Sequence, residues 1–136
     1  MVSFGMWKIG RSQEYSLWFK NLDDDAKEAI LQGVLVLSEM GPSLGRPHVD
    51  TIENSAYPNM KELRVQNKKR VFRIFFVFDP ERVGILLIGG DKKGSSDSEF
   101  YGRMIPVADG IYARHLDTLE VNVPQKEKSH GKKRKK

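Results

Sequence analysis

A chain of 136 residues without cysteine has the length of one domain and excludes a disulfide framework, a thiolate metal site and a cysteine nucleophile. No apolar run approaches the ~18 residues of a membrane span and the N-terminus lacks a signal peptide's apolar stretch, so a cytoplasmic chain is expected. The formal charge of +5 is unevenly placed, because residues 126–136 hold seven of the 23 basic side chains and one of the 18 acidic ones, leaving residues 1–125 at −1.

In chain order, the first nine residues, ending in Met6-Trp7-Lys8-Ile9, alternate as a short strand does, and Gly10 ends it. Ser12 then caps a helix to about Asn21, with Tyr15, Trp18, Phe19 and Leu22 at helical spacing. Asp23 caps a second helix, where Asp24 and Asp25 complement the positive end of the helix dipole. Ala26, Ile30, Val34, Leu37 and Met40 make its apolar stripe, and Gly41-Pro42 stops it. The tight connection predicts a helical hairpin.

Residues 42–58 read as a long loop, which is either functional or draped over the surface. Three strands follow, Lys61–Gln66, Val71–Phe78 and Val83–Ile88, and their short separators predict an antiparallel meander. The middle one is almost continuously apolar, which suits a central strand covered by helices on one face. Gly89 to Ser96 reads as a turn-rich loop leading to Phe100-Tyr101. Pro106, at a first helical turn, opens a last helix with Ala108, Ile111, Tyr112, His115 and Leu119 on one face. The expected fold is thus α+β: an N-terminal strand and a helical hairpin packed on an antiparallel meander, with a C-terminal helix. The domain is expected over residues 1–124, followed by a basic, disordered tail at 125–136.

Catalytic and cofactor signatures such as GxSxG, Walker A and HExxH are missing, and His48, His115 and His130 are too scattered for a metal site. Neither a metal nor a cofactor is expected. The informative feature is the run 61–73, where six basic residues stand against Glu62 alone. Residues two apart share one face of a strand, so Glu62 and Arg64 project together. Arg73 lies on the face opposite Phe72, Ile74 and Phe76, which is the open side if those three meet the helices. Lys92 and Lys93 arrive from the following loop and Tyr101 from beyond it. Such a basic, one-sided sheet suits RNA, with cations for phosphates and a ring for stacking. The plainer reading is a set of solvated strand charges with Tyr101 in the core. Trp7, Trp18 and Phe19 read as core, and His115 as a satisfied core histidine. Gly94-Ser95-Ser96 reads as a loop rather than a phosphate nest.

The runs Asn59-Met60-Lys61-Glu62-Leu63-Arg64 and Arg70 to Pro80 resemble the RelE/HigB-like toxins of bacterial toxin–antitoxin modules. So do Gly89-Gly90-Asp91-Lys92-Lys93-Gly94, Phe100-Tyr101 and Ile105 to Asp109, and the branch they most resemble is the HigB type related to a phage-derived family. The likeness covers about residues 5–120. It implies an mRNA endoribonuclease acting at the ribosome without a metal, by attack of a 2′-hydroxyl on the adjacent phosphate, and silenced by a HigA-like, helix-turn-helix antitoxin. By this resemblance Arg73 contacts the scissile phosphate, Tyr101 stacks on a base or supports the reaction, and Lys92 or Lys93 is the basic loop residue. Arg64 matches a basic position on the first meander strand. RelE has two lysines where Met60 and Glu62 fall here, which leaves Glu62, His48 and Lys61 or Lys92 as candidate bases. Lys61, Arg64, Lys68, Lys69, Arg70 and Lys93 are the expected RNA-binding residues. The alternatives are a non-enzymatic, ParE-like toxin that binds DNA gyrase, and a relic that binds RNA without cutting it.

Overall fold

The computed structural model of the chain describes residues 6–121, so the expected tail and the first five residues lie outside the described residues. Strand β1 (Ile9–Arg11) leads to helix α1 (Gln13–Lys20), helix α2 (Asp24–Met40) and a 3-10 turn at Gly41–Ser43. Strands β2 (Val49–Thr51), β3 (Lys61–Asn67), β4 (Arg70–Phe78) and β5 (Gly84–Asp91) follow, and helix α3 (Asp97–Val121) closes the described chain. The sheet runs β1-β5-β4-β3-β2 and is mixed: β1 lies parallel to β5, and every other pair is antiparallel.

Both hairpin helices start where their caps predict. Ser12 Oγ accepts the Tyr15 N–H and Asp23 Oδ1 accepts the Ala26 N–H, each at 2.9 Å. Their apolar stripes bury Tyr15, Ala26, Ile30 and Leu37 against Leu63, Val65, Phe72, Ile74, Phe76 and Leu86. On the other sheet face, α3 places Phe100, Met104, Ala108, Ile111 and Tyr112 against Phe75, Val77, Ile85 and Leu87.

That second layer corrects the expected one-sided sheet. A strand that reads Phe-Arg-Ile-Phe-Phe-Val-Phe offers an apolar side chain to both faces, and such runs belong to strands covered twice. The last helix also begins nine residues earlier than Pro106, which sits inside α3. Ser96 and Glu99 form its capping box: the Glu99 N–H donates to Ser96 Oγ at 3.2 Å, and the Ser96 N–H donates to Glu99 Oε1 at 3.3 Å.

The expected 89–96 loop is shorter, because β5 continues through Gly89-Gly90 to Asp91. A Cβ at Gly89 would overlap the Trp18 ring, and one at Gly90 would press on Phe100 and Met104. The two bare residues let a helix approach the strand from each side. Between Phe75 and Phe76 the β4–β5 register steps from Ile88 to Leu86, leaving Leu87 as the extra residue of a bulge. The long 42–58 segment contains β2, an unforeseen edge strand on β3. Its far part is fastened to α3: Asp109 accepts from Ser55 Oγ at 2.5 Å and from the Ala56 N–H at 2.9 Å, and Tyr57 meets Tyr112 edge-on. Buried Asp79 closes the β4–β5 turn by accepting the Glu81 and Val83 N–H groups, and its second oxygen lies 2.8 Å from His115 Nε2. His115 is therefore satisfied within the fold, as its place on the apolar face suggests.

Candidate active site

A cleft of about 570 Å³ opens between the β2–β3 edge and the first turns of α3. Asp50 and Thr51 of β2, Ile52, Glu53 and Asn54 beyond it, and Glu62 and Arg64 of β3 form one wall. Lys92, Asp97, Ser98, Tyr101 and Ile105 form the other, and Arg46 stands at the rim.

Glu62 is the hub. Its side chain is 4% exposed, and its oxygens are claimed from three directions. The Tyr101 hydroxyl donates to Oε1 at 2.6 Å, Arg64 Nε donates to Oε2 at 3.1 Å, and Arg73 Nε lies 3.7 Å from Oε1. Burial and the hydrogen bond to that carboxylate push the Tyr101 phenol up to about 12. At neutral pH Tyr101 is therefore a proton-bearing donor. A carboxylate offers about four lone-pair directions, so Glu62 retains acceptor capacity toward the cleft.

The strand pleat explains who meets whom. Leu63 and Val65 point to the hairpin helices, so Glu62 and Arg64 point to the α3 side. Arg73 sits directly opposite Arg64 on β4. Phe75, on the same face, packs edge-on to Tyr101. Two guanidinium groups side by side repel, and the carboxylate between them offsets that repulsion. Arg73 is the more enclosed, with a side chain 11% exposed, and it does not line the cleft. Its Nη1 donates to the Phe72 carbonyl at 3.1 Å, while its buried Nε has no hydrogen-bond partner. Arg64, by contrast, lines the cleft. It also contacts Asp50 at 3.2 Å, and Asp50 holds Arg46 at 3.0 Å. Lys92 pairs with Asp97 at 2.8 Å, its ammonium 6.0 Å from the Tyr101 ring centre.

The structure thus gathers Glu62, Arg64, Arg73, Lys92 and Tyr101. The other expected residues lie elsewhere. His48 is exposed and lines a neighbouring depression with Gln32, Gly33 and Val36 of α2, which Arg64 also borders. Lys61 alternates onto the opposite side of β3 from Glu62. Lys68 and Arg70 bind Asp25 and Asp23 at the start of α2, so they fasten the β3–β4 turn to that helix. Lys69 and Lys93 are exposed and outside the cleft lining. Arg46, Asp50 and Asp97 were not foreseen. Asp97 was legible as the residue that follows Ser96 inside the Ser96-x-x-Glu99 capping signal, whereas Asp50 sits on a three-residue strand with no strong sequence mark.

The phage-derived Gp49-like family matches residues 17–113, a span that carries the whole Glu62–Tyr101 cluster. The chain belongs to that family. The Gp49-like chain is also 45% identical over 92 residues to a Mycobacterium tuberculosis protein designated as a toxin, HigB3, a match covering 68% of this chain and 78% of HigB3. It is 39% identical over 117 residues to HigB2 of the same organism, likewise designated as a toxin, covering 85% of this chain and spanning 58% of the length of HigB2. A chain of the archaeal RelE–RelB complex from Pyrococcus horikoshii OT3 has a TM-score of 0.48 and 11% identity, with 66% of this chain and 99% of that one covered. By the match to HigB3, the Gp49-like chain also belongs with the HigB-type proteins. Among the described residues, no helix is long and apolar enough to cross a membrane.

Proposed function

We propose that this chain is the toxin of a toxin–antitoxin pair and an endoribonuclease that cuts mRNA by metal-independent 2′-hydroxyl attack. The observation that carries the reading is the buried carboxylate Glu62 on the cleft lining, bonded to Tyr101 and Arg64 and backed by Arg73, with Lys92 across the gap. In the proposed step Glu62 takes the 2′-OH proton. The 2′-oxygen attacks phosphorus, the P–O5′ bond breaks, and the leaving oxygen is protonated, giving a 2′,3′-cyclic phosphate and a 5′-hydroxyl. Lys92 and the neutral Tyr101 phenol are the cleft groups that carry a proton to give. Arg64, with Arg73 behind it, offsets the charge gathering on the phosphorane.

Glu62 is favoured over His48 as the base because it shares the cleft with Lys92 and Tyr101 and His48 does not. The requirement for a 2′-OH restricts the substrate to RNA. The proposed cellular setting is ribosome-bound mRNA in the cytoplasm, with a HigA-like antitoxin as the silencing partner.

Brief induction in bacterial cells followed by transcript 5′-end mapping tests the reading. New 5′-hydroxyl ends inside open reading frames, absent with Glu62→Gln or Arg64→Ala, are expected. Growth arrest without new ends would replace this reading with the gyrase-binding alternative. If Glu62→Gln cuts as fast as wild type while His48→Gln does not, the histidine takes over as base.

A further inference from the structure

The cleft is not the basic surface that a phosphate-handling site suggests. Its lining holds Arg46, Arg64 and Lys92 against Asp50, Glu53, Glu62 and Asp97. Each of those cations is engaged by a carboxylate of this same chain: Arg46 by Asp50, Arg64 by Asp50 and Glu62, and Lys92 by Asp97. The three engaged carboxylates differ in freedom. The side chain of Glu62 is 4% exposed, that of Asp50 24%, and that of Asp97 75%. An RNA phosphate entering the cleft meets an occupied set of anion positions. The only occupant that can leave without disturbing packed structure is Asp97.

We propose that Asp97 is a displaceable carboxylate that occupies the phosphate position over Lys92 in the free protein, so that RNA binds by exchanging its phosphate for this side chain. The inference rests on the endoribonuclease reading and adds a control on how readily that site accepts an anion. Exposed ion pairs are weak, which is what makes this one exchangeable. The geometry suits exchange because Asp97 opens α3: once its carboxylate swings outward, a phosphate at Lys92 also faces the positive end of a long helix. Lys92, 20% exposed, stays beside the Tyr101 ring, so the cation is held in place for the incoming anion. Lys92, with smaller contributions from Arg73 and Arg64, holds the Asp97 carboxyl below its ordinary range, so the competitor remains charged through the physiological pH range. The effect is a raised threshold. Isolated phosphates compete poorly with a tethered carboxylate, and a polyanion that supplies several phosphates at once competes well.

The test uses the full chain as wild type, Asp97→Asn and Glu28→Gln. Glu28 is exposed on α2, away from the cleft, and its variant makes the same change in net charge. Two probes are titrated: inorganic phosphate, followed by the amide NMR shifts of Lys92 and Tyr101, and a fully 2′-O-methylated single-stranded RNA that cannot be cut. Asp97→Asn is expected to bind both about 3- to 10-fold more tightly than wild type, with Glu28→Gln within about twofold. The gain should vanish when Lys92→Ala is added, because the competed site is then gone. Equal affinities for Asp97→Asn and Glu28→Gln would overturn the proposal. A gain in phosphate affinity in a protein that leaves transcripts intact would keep the exchange and remove the endoribonuclease. Transcript cutting by a protein whose Asp97→Asn variant binds no more tightly would do the reverse.

Discussion

The contact between Tyr101 and Glu62 connects stability to the proposed chemistry at the scale of single side chains. With a folded pKa of about 12 against ~10 in the unfolded chain, Tyr101 contributes stability that is fully present below pH ~10 and is lost as the pH rises through about 12. Two units correspond to about 2.7 kcal/mol in full, and solvent screening of a half-buried ring reduces this to about 1–2 kcal/mol. Urea unfolding at pH 8 and pH 11.5 should therefore show a smaller alkaline loss in Tyr101→Phe than in wild type, by about that amount. Tyr15, which burial also pushes up to about 12, is common to both proteins and cancels. Identical losses would mean that the phenol ionises as freely in the folded protein as in the unfolded chain. The two arginines should separate stability from activity. Arg73→Ala removes an enclosed cation from beside a buried carboxylate, but Glu62 keeps Tyr101 and Arg64, so a cost of about 1–3 kcal/mol is expected rather than the full penalty of an orphaned charge. Arg64→Ala, at a one-third exposed side chain, should melt within a few degrees of wild type and still lose most growth inhibition. Thermal melts beside growth curves for the two variants check both statements.

Helix α3 is the element that turns a sheet face into a cleft, and its first turn determines where Lys92, Asp97 and Tyr101 meet. Ser96→Ala removes the side-chain acceptor for the Glu99 N–H, and losing such a cap costs about 1 kcal/mol. The expected result is a melting temperature lower by a few degrees, together with weakened growth inhibition, since the frayed turn leads directly into Tyr101, the hydroxyl partner of Glu62. An unchanged melt would show that packing of Phe100 and Met104 alone fixes the helix start. The same element marks how far the sequence could be read. The hairpin caps at Ser12 and Asp23, the three meander strands and the grouping of Glu62, Arg64, Arg73, Lys92 and Tyr101 follow from local chemistry and strand alternation. The start of α3 was equally local, in Ser96-x-x-Glu99, but Pro106 is a stronger helix-start signal than a capping box and masks it. The cover over the second sheet face was legible only in the doubly apolar pattern of β4. The pairing of Arg46 and Arg64 with Asp50 had no sequence mark, because it depends on β2, a strand of three residues, reaching the β3 edge across the loop 52–60.

For the whole molecule, the charge distribution implies a division of labour between the cleft and the chain's last residues. Residues 1–125 carry −1 and the cleft cations are internally paired, so the folded part exerts little long-range pull on a polyanion. Residues 126–136 carry +6. If RNA is drawn in electrostatically, that segment supplies most of the attraction, and the cleft supplies short-range recognition after exchange of Asp97. Each phosphate neutralised on a single strand releases counterions and contributes roughly −0.7 to the slope of log K against log salt. Four to six contacts from the terminal segment would give a slope of about −3 to −4, whereas the cleft alone, holding one or two phosphates, would give about −1. Binding of the non-cleavable RNA by the full chain and by residues 1–124, measured at several salt concentrations, should show the steep dependence in the first and a shallow one in the second. Cutting at saturating RNA should be similar in both, because the proposed reacting groups, from Glu62 to Tyr101, are retained in the shorter chain. A truncated chain that keeps the steep slope would transfer the attraction to exposed cations of the folded part, with Lys69 and Lys93 first in line since neither lines the cleft and both are open to solvent.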